Sequence, residues 1–280
     1  MSKKFLTLSF VFGVLLVAVA GAKEKPLKVF IFGGQSNMVG FGASVEELPP
    51  ALRGAQQNVV VFDGAKWAPL VAGKTTGGQP GPEVSCAQKL SAELKEPIGI
   101  IKLAVSGSSL AGDWAIAKPR SLYGQLVTTV KAARQGREIE IVGMFWLQGE
   151  RDARNGAMAN AYAENFKNFI RKAREDFTSP KMFFVAGRVN PPKNPYAFVD
   201  TIRKAQEECK EENYAFVDCD SLAKRSDMVH YTTMGLVDLG HKFADQVLTL
   251  MGKTPGRSSR DNCGNPQGIM SAAAISRQPC

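Results

Sequence analysis

The feature that most constrains the fold is a regular alternation of short apolar runs with longer amphipathic stretches. The runs have the length and composition of strands that are buried on both faces of a sheet. They are residues 28–32, 58–62, 98–105, 139–146, 182–186 and 214–217. The stretches between them carry apolar residues at helical spacing. The predicted helices are residues 83–94, 122–134, 157–177, 196–211 and 232–251.

Strand–helix–strand alternation predicts parallel strands joined by right-handed crossovers. No internal repeat or linker divides the 280 residues, so we expect one α/β domain with three α/β/α layers. In open parallel sheets, ligands bind beyond the carboxyl ends of the strands. The residues that follow each apolar run are therefore the candidates for a functional site.

The first 22 residues are typical of an export signal. Two lysines precede an apolar run over residues 5–20, and an Ala-Gly-Ala sequence ends at residue 22, as in segments that signal peptidase removes. A retained membrane anchor is the alternative, but the run is short for a bilayer crossing. We expect cleavage and a secreted or periplasmic protein that makes no membrane contact afterwards.

The formal net charge of +9 raises the question of nucleic-acid binding. Residues 1–22 and 253–280 contribute +5 of this charge, which leaves +4 for the expected domain over residues 23–252. Such an excess indicates solubility rather than a nucleic-acid surface. Residues 253–280 are rich in Gly, Ser, Pro and Asn, so we expect a disordered tail. The sequence predicts no oligomeric state.

The five cysteines show no metal-ligand spacing, so zinc is not supported. Cys209 and Cys219 are close in sequence, as are Cys263 and Cys280. Either pair can form a disulfide, and buried thiols are an equally good interpretation.

A glycine pair and a serine follow the first apolar run, in the sequence Gly33-Gly34-Gln35-Ser36. Glycine permits backbone angles that other residues resist, so this turn can present the Ser36 hydroxyl at the edge of the sheet. Ser36 is a candidate nucleophile, and a helix-capping serine explains the motif equally well.

Two further strand ends carry polar groups. Residues 106–109 read Ser-Gly-Ser-Ser, where the Gly107 N–H can face an anion; an ordinary turn is the alternative. Residues 146–152 read Trp-Leu-Gln-Gly-Glu-Arg-Asp, where the Gln148 amide can donate to a developing oxyanion. A polar cluster that stabilises the loop is the alternative.

Only two histidines are present, and each follows an aspartate by three residues. His241 lies within the last predicted helix, off its apolar face, so we expect it at the surface. His230 precedes that helix, where Asp227 can bind Nδ1 and leave Nε2 as a base toward a serine hydroxyl. A metal site would need both histidines to converge, so we predict no metal and no cofactor.

Four segments together resemble the SGNH hydrolase superfamily. They are GQSNM at residues 34–38, VSGSSL at 105–110, WLQGERD at 146–152 and DMVHYTTMGLVDLG at 227–240. The resemblance covers about residues 27–252. It is specifically to the branch of sialate O-acetylesterase-like and acetylxylan-esterase-like proteins, carbohydrate esterase family 6. It implies a flavodoxin-like fold with a five-stranded parallel sheet, and metal-free hydrolysis of acetyl esters on sugars.

Transferred residue by residue, the resemblance implies that Ser36 is the nucleophile and that Asp227 and His230 complete a catalytic triad. It implies oxyanion donors at the Ser36 N–H, the Gly107 N–H and the Gln148 side chain. The third segment has Gln-Gly-Glu where the broader superfamily has Gly-x-Asn-Asp, which is usual in this branch.

Residues near these motifs are the candidates for contacts with the sugar. The expected substrate contacts are Gln35, Asn37, Trp114 and Glu150. Trp67, Trp114 and Tyr123 can stack on a sugar ring, and core packing explains each of them equally well.

These observations predict a serine esterase that removes O-acetyl groups from a carbohydrate such as sialic acid or xylan through an acyl-enzyme. A lipase-like or thioesterase member of the superfamily is one alternative, which a long apolar acyl channel would identify. An exported carbohydrate-binding protein without activity is another, and the intact Ser36, Asp227 and His230 argue against it.

Overall fold

The computed structural model describes residues 25–118 and 120–254. The expected leader over residues 1–22 and nearly all of the expected tail lie outside these residues. No helix within the described ranges is long and apolar enough to cross a membrane.

The described chain contains seven strands and seven α-helices, which alternate from β3 onward. The strands are β1 (Leu27–Gly34), β2 (Ala55–Phe62), β3 (Trp67–Val71), β4 (Ile98–Ala104), β5 (Ile139–Leu147), β6 (Phe183–Arg188) and β7 (Tyr214–Asp218). The helices are α1 (Ser36–Val39), α2 (Pro50–Arg53), α3 (Glu83–Leu94), α4 (Leu122–Ala133), α5 (Gly156–Asp176), α6 (Val199–Glu207) and α7 (Thr233–Leu250). All six predicted strands and all five predicted helices are present, with ends displaced by at most four residues.

The sheet has seven strands in the order β3-β2-β4-β1-β5-β6-β7, so the predicted count of five is corrected. The five strands β4-β1-β5-β6-β7 keep the flavodoxin-like order 2-1-3-4-5. β2 extends this set in parallel beside β4, and β3 pairs antiparallel with β2 at the edge. β3 was not predicted because its short sequence contains Pro69, which suits an edge strand but interrupts the apolar pattern.

The sheet separates two hydrophobic cores. Val29 and Ile31 of β1 pack on one face with side chains from α4, α5 and α6. Phe30 and Phe32 point to the other face and pack with side chains from α3 and α7. This alternation is what a strand buried on both faces requires. The result is the three-layer α/β/α arrangement that the sequence predicts.

The turns after β1, β4 and β5, which carry all predicted site residues except Asp227 and His230, are brought together by the position of β1 in the sheet. Gly34 at the end of β1 is aligned with Ala104 of β4 on one side and with Leu147 of β5 on the other. A β-carbon on Gly34 would lie 2.2 Å from the Leu147 carbonyl oxygen, and its φ of +152° is unfavourable for other residues. Glycine is therefore required where the chain leaves β1.

The described cysteines, Cys86, Cys209 and Cys219, are buried free thiols. Cys209 belongs to the core beneath α5 and α6, whereas Cys219 belongs to the core on the opposite face of the sheet. The alternative of a disulfide between Cys209 and Cys219 is therefore wrong. Cys263 and Cys280 lie outside the described residues.

Candidate active site

Ser36 lies in a tight turn directly after β1. The Gln35 N–H donates to the Leu147 carbonyl at 2.9 Å, and the Gly40 and Phe41 N–H groups donate to the Ser36 carbonyl at 3.1 and 3.0 Å. Ser36 is the first residue of α1, where a backbone N–H has no acceptor within the helix. The turn thus fixes the Ser36 hydroxyl and leaves its N–H available to a ligand.

His230 lies on a second tight turn, which precedes α7. An antiparallel bridge between Lys224 and Tyr231 closes this turn, and the Arg225 N–H donates to the His230 carbonyl at 2.8 Å. Thr232 then caps α7 by accepting the Gly235 N–H through its side chain. These bonds hold His230 at the carboxyl edge of the sheet.

The structure brings Ser36, His230 and Asp227 into one hydrogen-bonded chain. His230 Nε2 lies 2.9 Å from Ser36 Oγ, and His230 Nδ1 lies 2.7 Å from Asp227 Oδ2. The other carboxylate oxygen, Oδ1, accepts the N–H groups of Val229 and His230 at 2.9 Å each. The three-residue spacing follows from this local turn, in which one aspartate holds both the backbone and the ring.

The Asp227 carboxyl is held in its ionised form. Burial alone would raise its pKa, but the hydrogen bonds from the His230 ring and from two backbone N–H groups outweigh this effect and lower the pKa to about 2. An ionised Asp227 favours the tautomer with the proton on Nδ1 and leaves Nε2 to accept from the Ser36 hydroxyl.

Asn37 joins the two turns, although it was predicted to contact substrate. Its Nδ2 group donates to Glu150 Oε1 at 3.0 Å and to the Val229 carbonyl at 3.1 Å. Its Oδ1 atom accepts the Tyr231 N–H at 3.0 Å. Because both ends of the amide are occupied and only 2% of the residue is exposed, Asn37 holds the histidine turn instead of facing a sugar.

A cavity of about 320 Å³ opens beside Ser36 and His230. Of the predicted site residues, Gln35, Gly107 and Glu150 also line it. The sequence reasoning gave no role to the other lining residues, Phe41, Ser106, Arg151, Arg154, Tyr196 and Val229. Arg151 and Val229 belong to the four segments that carry the resemblance. Tyr196 belongs to none of them, and only its position after strand β6 could have indicated it.

Phe41 and Tyr196 form aromatic parts of the cavity wall. The Phe41 ring lies 4.6 Å from the His230 ring and is about half exposed. The Arg154 guanidinium lies 5.5 Å from the centre of the Tyr196 ring, a cation–π distance. Aromatic and cationic groups therefore flank the serine–histidine pair.

Gly107 and Gln148, the other predicted oxyanion donors, differ in their access to the cavity. Gly107 is exposed and has a φ of +71°, which favours glycine. Gln148 is fully buried, and its Nε2 group donates to Asp152 Oδ2 at 2.6 Å and to the Ser108 carbonyl at 3.1 Å. The expectation for Gln148 is therefore corrected, because its amide joins two loops and does not reach the cavity.

Glu150 is a nearly buried carboxyl at the cavity wall. Its residue is 3% exposed, and Oε1 accepts from Asn37. Burial raises its pKa, against the opposing effects of the bond from Asn37 and the charges of His230 and Lys224. Glu150 thus favours its neutral form more than an exposed glutamate does.

The three aromatic residues proposed for sugar stacking do not line this cavity. Trp114 is fully buried and donates its indole N–H to Ser108 Oγ at 3.0 Å, so its predicted substrate contact is wrong. Tyr123 is also in the core, where its hydroxyl donates to Asp176 at 2.6 Å. Trp67 donates to the Ala133 carbonyl at the far end of α4. Core packing accounts for Trp114 and Tyr123.

Within residues 25–118 and 120–254, no group of three His, Cys, Asp or Glu side chains is close enough to hold a metal ion. His241 lies within α7, as predicted, but it is half-buried and not fully exposed as the sequence analysis expected.

The chain is similar to proteins that are named carbohydrate esterases. The sequence profile of a family described as "carbohydrate esterase, sialic acid-specific acetylesterase" matches residues 26–249. A protein of Arabidopsis thaliana named "probable carbohydrate esterase" is 27% identical over 245 residues, which are 80% of this chain and 91% of that protein.

Solved structures show the same fold. An X-ray structure of an Arabidopsis thaliana protein has a TM-score of 0.70 at 24% identity and covers 80% of this chain and 99% of its own. A carbohydrate acetylesterase from Xanthomonas citri has a TM-score of 0.65 at 19% identity, covering 81% of this chain and 57% of its own. Because the family profile spans most of the sequence, the chain belongs to the carbohydrate esterase family of sialic acid-specific acetylesterases and is an esterase of acetylated carbohydrates.

Proposed function

We propose that the protein removes O-acetyl groups from sugars with Ser36 as nucleophile, His230 as general base and Asp227 as the group that orients the imidazole. The observation that carries the proposal is the continuous chain of two hydrogen bonds, 2.9 Å from Ser36 Oγ to Nε2 and 2.7 Å from Nδ1 to Asp227. This chain ends at an open cavity, as a hydrolase needs for its substrate.

The reaction has two acyl-transfer steps. His230 Nε2 takes the Ser36 proton as Oγ attacks the acetyl carbonyl, and the same proton then passes to the sugar oxygen as the ester bond breaks. The acetyl group remains bonded to Ser36 Oγ as an ester. A water molecule attacks this acetyl group while His230 takes one of its protons. His230 then passes that proton to Ser36 Oγ as the ester bond breaks, and acetic acid leaves and ionises in water.

The negative charge that develops on the carbonyl oxygen needs donors already in place. The Ser36 N–H at the start of α1 and the Gly107 N–H at the cavity wall supply them in this proposal. Each such donor lowers the barrier by about 3 kcal/mol. Gln148 supports the site indirectly, because its bonds to Asp152 and to the Ser108 carbonyl hold the loop that carries Gly107.

The shape of the cavity favours a short acyl group. Its volume is about 320 Å³, and Gln35, Glu150, Arg151 and Arg154 are among its lining residues. A lipase-like or thioesterase activity would require a long apolar channel, and the charged residues Glu150, Arg151 and Arg154 beside Ser36 do not suit a long alkyl chain. Polar and charged walls suit the hydroxyl groups of a sugar.

We also propose that the leader over residues 1–22 is removed during export. The small residues Ala20, Gly21 and Ala22 support this assignment. The mass and N-terminal sequence of the protein recovered outside the cytoplasm should then begin at Lys23, and a protein that begins at Met1 would contradict the proposal.

The deciding experiment is acetate release from a panel of acetylated glycans and from a small aryl acetate. Ser36→Ala should reduce the rate by at least about 10⁴-fold, because no other group replaces the nucleophile. Ser106→Ala is the matched control, since Ser106 lines the same cavity without a bond to His230, and it should remain within about tenfold of wild type. Equal release by wild type and Ser36→Ala would refute the assignment.

A further inference from the structure

A second, larger cavity adjoins the one beside Ser36. Its volume is about 710 Å³, and it shares Ser106 and Gly107 with the smaller cavity of about 320 Å³. A β-carbon on Gly107 would meet no atom within 4 Å, so the space at this turn is open. The two cavities therefore form one groove that passes Gly107, and the proposed chemistry uses only one end of it.

The walls of this groove are cationic at both ends. Arg151 and Arg154 line the cavity beside Ser36, and Lys118 and Arg120 line the larger cavity. Within residues 25–118 and 120–254, none of these four side chains forms an ion pair with a carboxylate within 4.0 Å. Four cations without a direct carboxylate contact thus face one groove.

The acidic groups in the groove offset only part of this positive charge. Glu150 is nearly buried and bonded to Asn37. Asp113 lies at the wall of the larger cavity, where its carboxylate accepts from the Ser109 N–H and hydroxyl at 2.8 and 2.9 Å. These bonds and the charge of Arg151 lower the pKa of Asp113, so its ionised carboxylate offsets one of the four cations. The groove therefore keeps an excess of positive charge that can bind an anionic ligand, and arginine pairs with carboxylates through two parallel hydrogen bonds.

Apolar surface accompanies these charges. Val105 is 41% exposed, and both Val105 and Leu122 line the larger cavity. Sugar rings present C–H groups on their faces, which pack on such surface, while their hydroxyl and carboxylate groups lie at the ring edges. The groove thus offers apolar contact and cationic groups on both sides of Gly107.

We propose that this groove binds an acetylated oligosaccharide whose sugar units carry carboxylate groups, with the unit to be deacetylated beside Ser36 and a neighbouring unit beside Lys118 and Arg120. The proposal rests on the esterase function given above and adds the class of its substrate. Single sugars reach only the cavity beside Ser36, so a chain of at least two units is needed to use Lys118 and Arg120.

The test compares three substrates: a small aryl acetate, an O-acetylated oligouronide and a neutral O-acetylated xylo-oligosaccharide of the same length. For wild type, KM for the oligouronide should be the lower of the two oligosaccharide values and should rise with salt, because salt screens exposed charges. Lys118→Gln/Arg120→Gln should raise this KM about five- to twentyfold, as expected for two exposed charge contacts. Turnover of the aryl acetate by the double variant should stay unchanged.

Lys181→Gln/Lys210→Gln is the matched control. Both lysines are exposed and precede β6 and β7, at the opposite edge of the sheet, so this variant should leave every KM unchanged. Equal KM values for the charged and neutral oligosaccharides in wild type, or an unchanged oligouronide KM in Lys118→Gln/Arg120→Gln, would overturn the groove proposal while the esterase function stands. If the wild-type protein does not hydrolyse the aryl acetate, the esterase function is refuted, and the groove proposal with it.

Discussion

Asn37 is a buried residue whose side-chain amide positions His230, although Asn37 does not line the cavity. Its three hydrogen bonds reach Glu150, Val229 and Tyr231, and the last two of these residues flank His230. The position of His230 relative to Ser36 therefore depends on a side chain next to the proposed nucleophile. A polar residue within a motif indicates importance for the site. The sequence alone does not show whether its side chain contacts substrate or forms hydrogen bonds within the protein.

Asn37→Ala should reduce kcat more than it changes KM. The histidine turn loses two of its anchors, while the cavity wall stays intact, so we expect kcat to fall about 10- to 100-fold. Loss of the buried bonds should also reduce the free energy of unfolding by about 1–3 kcal/mol. Steady-state kinetics with an aryl acetate and chemical denaturation measure the two effects. A large rise in KM with kcat retained would show that Asn37 contacts substrate after all.

Glu150 makes the stability of the fold depend on pH in a way that is unusual for a carboxyl group. Burial raises the pKa of its carboxyl above the ordinary value of 4.5. Between 4.5 and the raised value, the unfolded chain loses this proton while the folded chain keeps it, so the contribution of Glu150 to stability falls as pH rises. This sign is opposite to that of Asp227, whose lowered pKa stabilises the fold at every pH above about 4.

Glu150→Gln should remove this penalty, because the glutamine oxygen can still accept from Asn37 Nδ2. The melting temperature of the variant minus that of wild type should therefore increase from pH 4 upward and become constant once the wild-type carboxyl is ionised. Thermal unfolding followed by circular dichroism between pH 4 and pH 8 measures this difference. A difference that decreases with pH would mean that the ionised carboxylate is stabilised in the fold.

At the scale of elements, a buried ion pair connects the first strand–helix turn to the rest of the sheet. Lys102 of β4 and Glu83 in the first turn of α3 are 2.8 Å apart, with 6% and 0% of their side chains exposed. Lys102 Nζ also donates at 3.1 Å to the carbonyl of Val39, the last residue of α1. Burial lowers the pKa of Lys102, and the Glu83 carboxylate opposes this effect. The pair therefore holds α1, which begins with Ser36, against α3 and β4.

Lys102→Met should destabilise the fold by about 3–5 kcal/mol, because it leaves the Glu83 carboxylate buried without a counter-charge. Lys102→Met/Glu83→Gln should recover much of this loss. The control is Lys89→Met, which removes a partly exposed pair with Asp245 at 2.6 Å and should cost about 0–1 kcal/mol. Urea denaturation of the variants measures these values, and equal effects of Lys102→Met and Lys89→Met would contradict the argument.

The positions of strands and helices were predictable because apolar periodicity is a local property. All six apolar runs form strands, and residues 83–94 form a helix with the predicted ends. Asp227 and His230 could be paired for the same reason, since a turn of four residues brings them together. The edge strand Trp67–Val71 could not be predicted, because its stability comes from pairing with β2 rather than from its own pattern.

In the whole molecule, the order of the strands and the packing of their loops determine burial and contacts that the sequence does not predict. Gln148 was assigned to the site as an amide at a strand end and by the resemblance, and Trp114 by its nearness to a motif. The loops after β4 and β5 pack against each other and enclose both side chains. Arg154 and Tyr196 come from separate loops and meet only because the carboxyl ends of β5 and β6 are neighbours in the sheet. Burial and long-range contact are properties of the assembled layers and have no signal in short segments.

The same separation of layers predicts the chemistry of the cysteines. Cys209 and Cys219 are ten positions apart in sequence but lie in cores on opposite faces of the sheet, so they cannot approach the distance that a disulfide needs. Burial also raises the pKa of Cys219 to about 12 and that of Cys86 well above its ordinary value, which suppresses the reactive thiolate. All three described thiols should therefore persist even in an exported protein.

Alkylation under native conditions should leave Cys86, Cys209 and Cys219 unlabelled, and alkylation in guanidinium chloride without reductant should label all three. Peptide mass mapping identifies each labelled position and separates these residues from Cys263 and Cys280. A reductant should add no label at the three positions in the denatured chain, because no disulfide between them exists to be opened. Labelling of Cys209 and Cys219 that requires a reductant would mean that the two residues are bonded, which the placement of the two cores on opposite faces of the sheet does not allow.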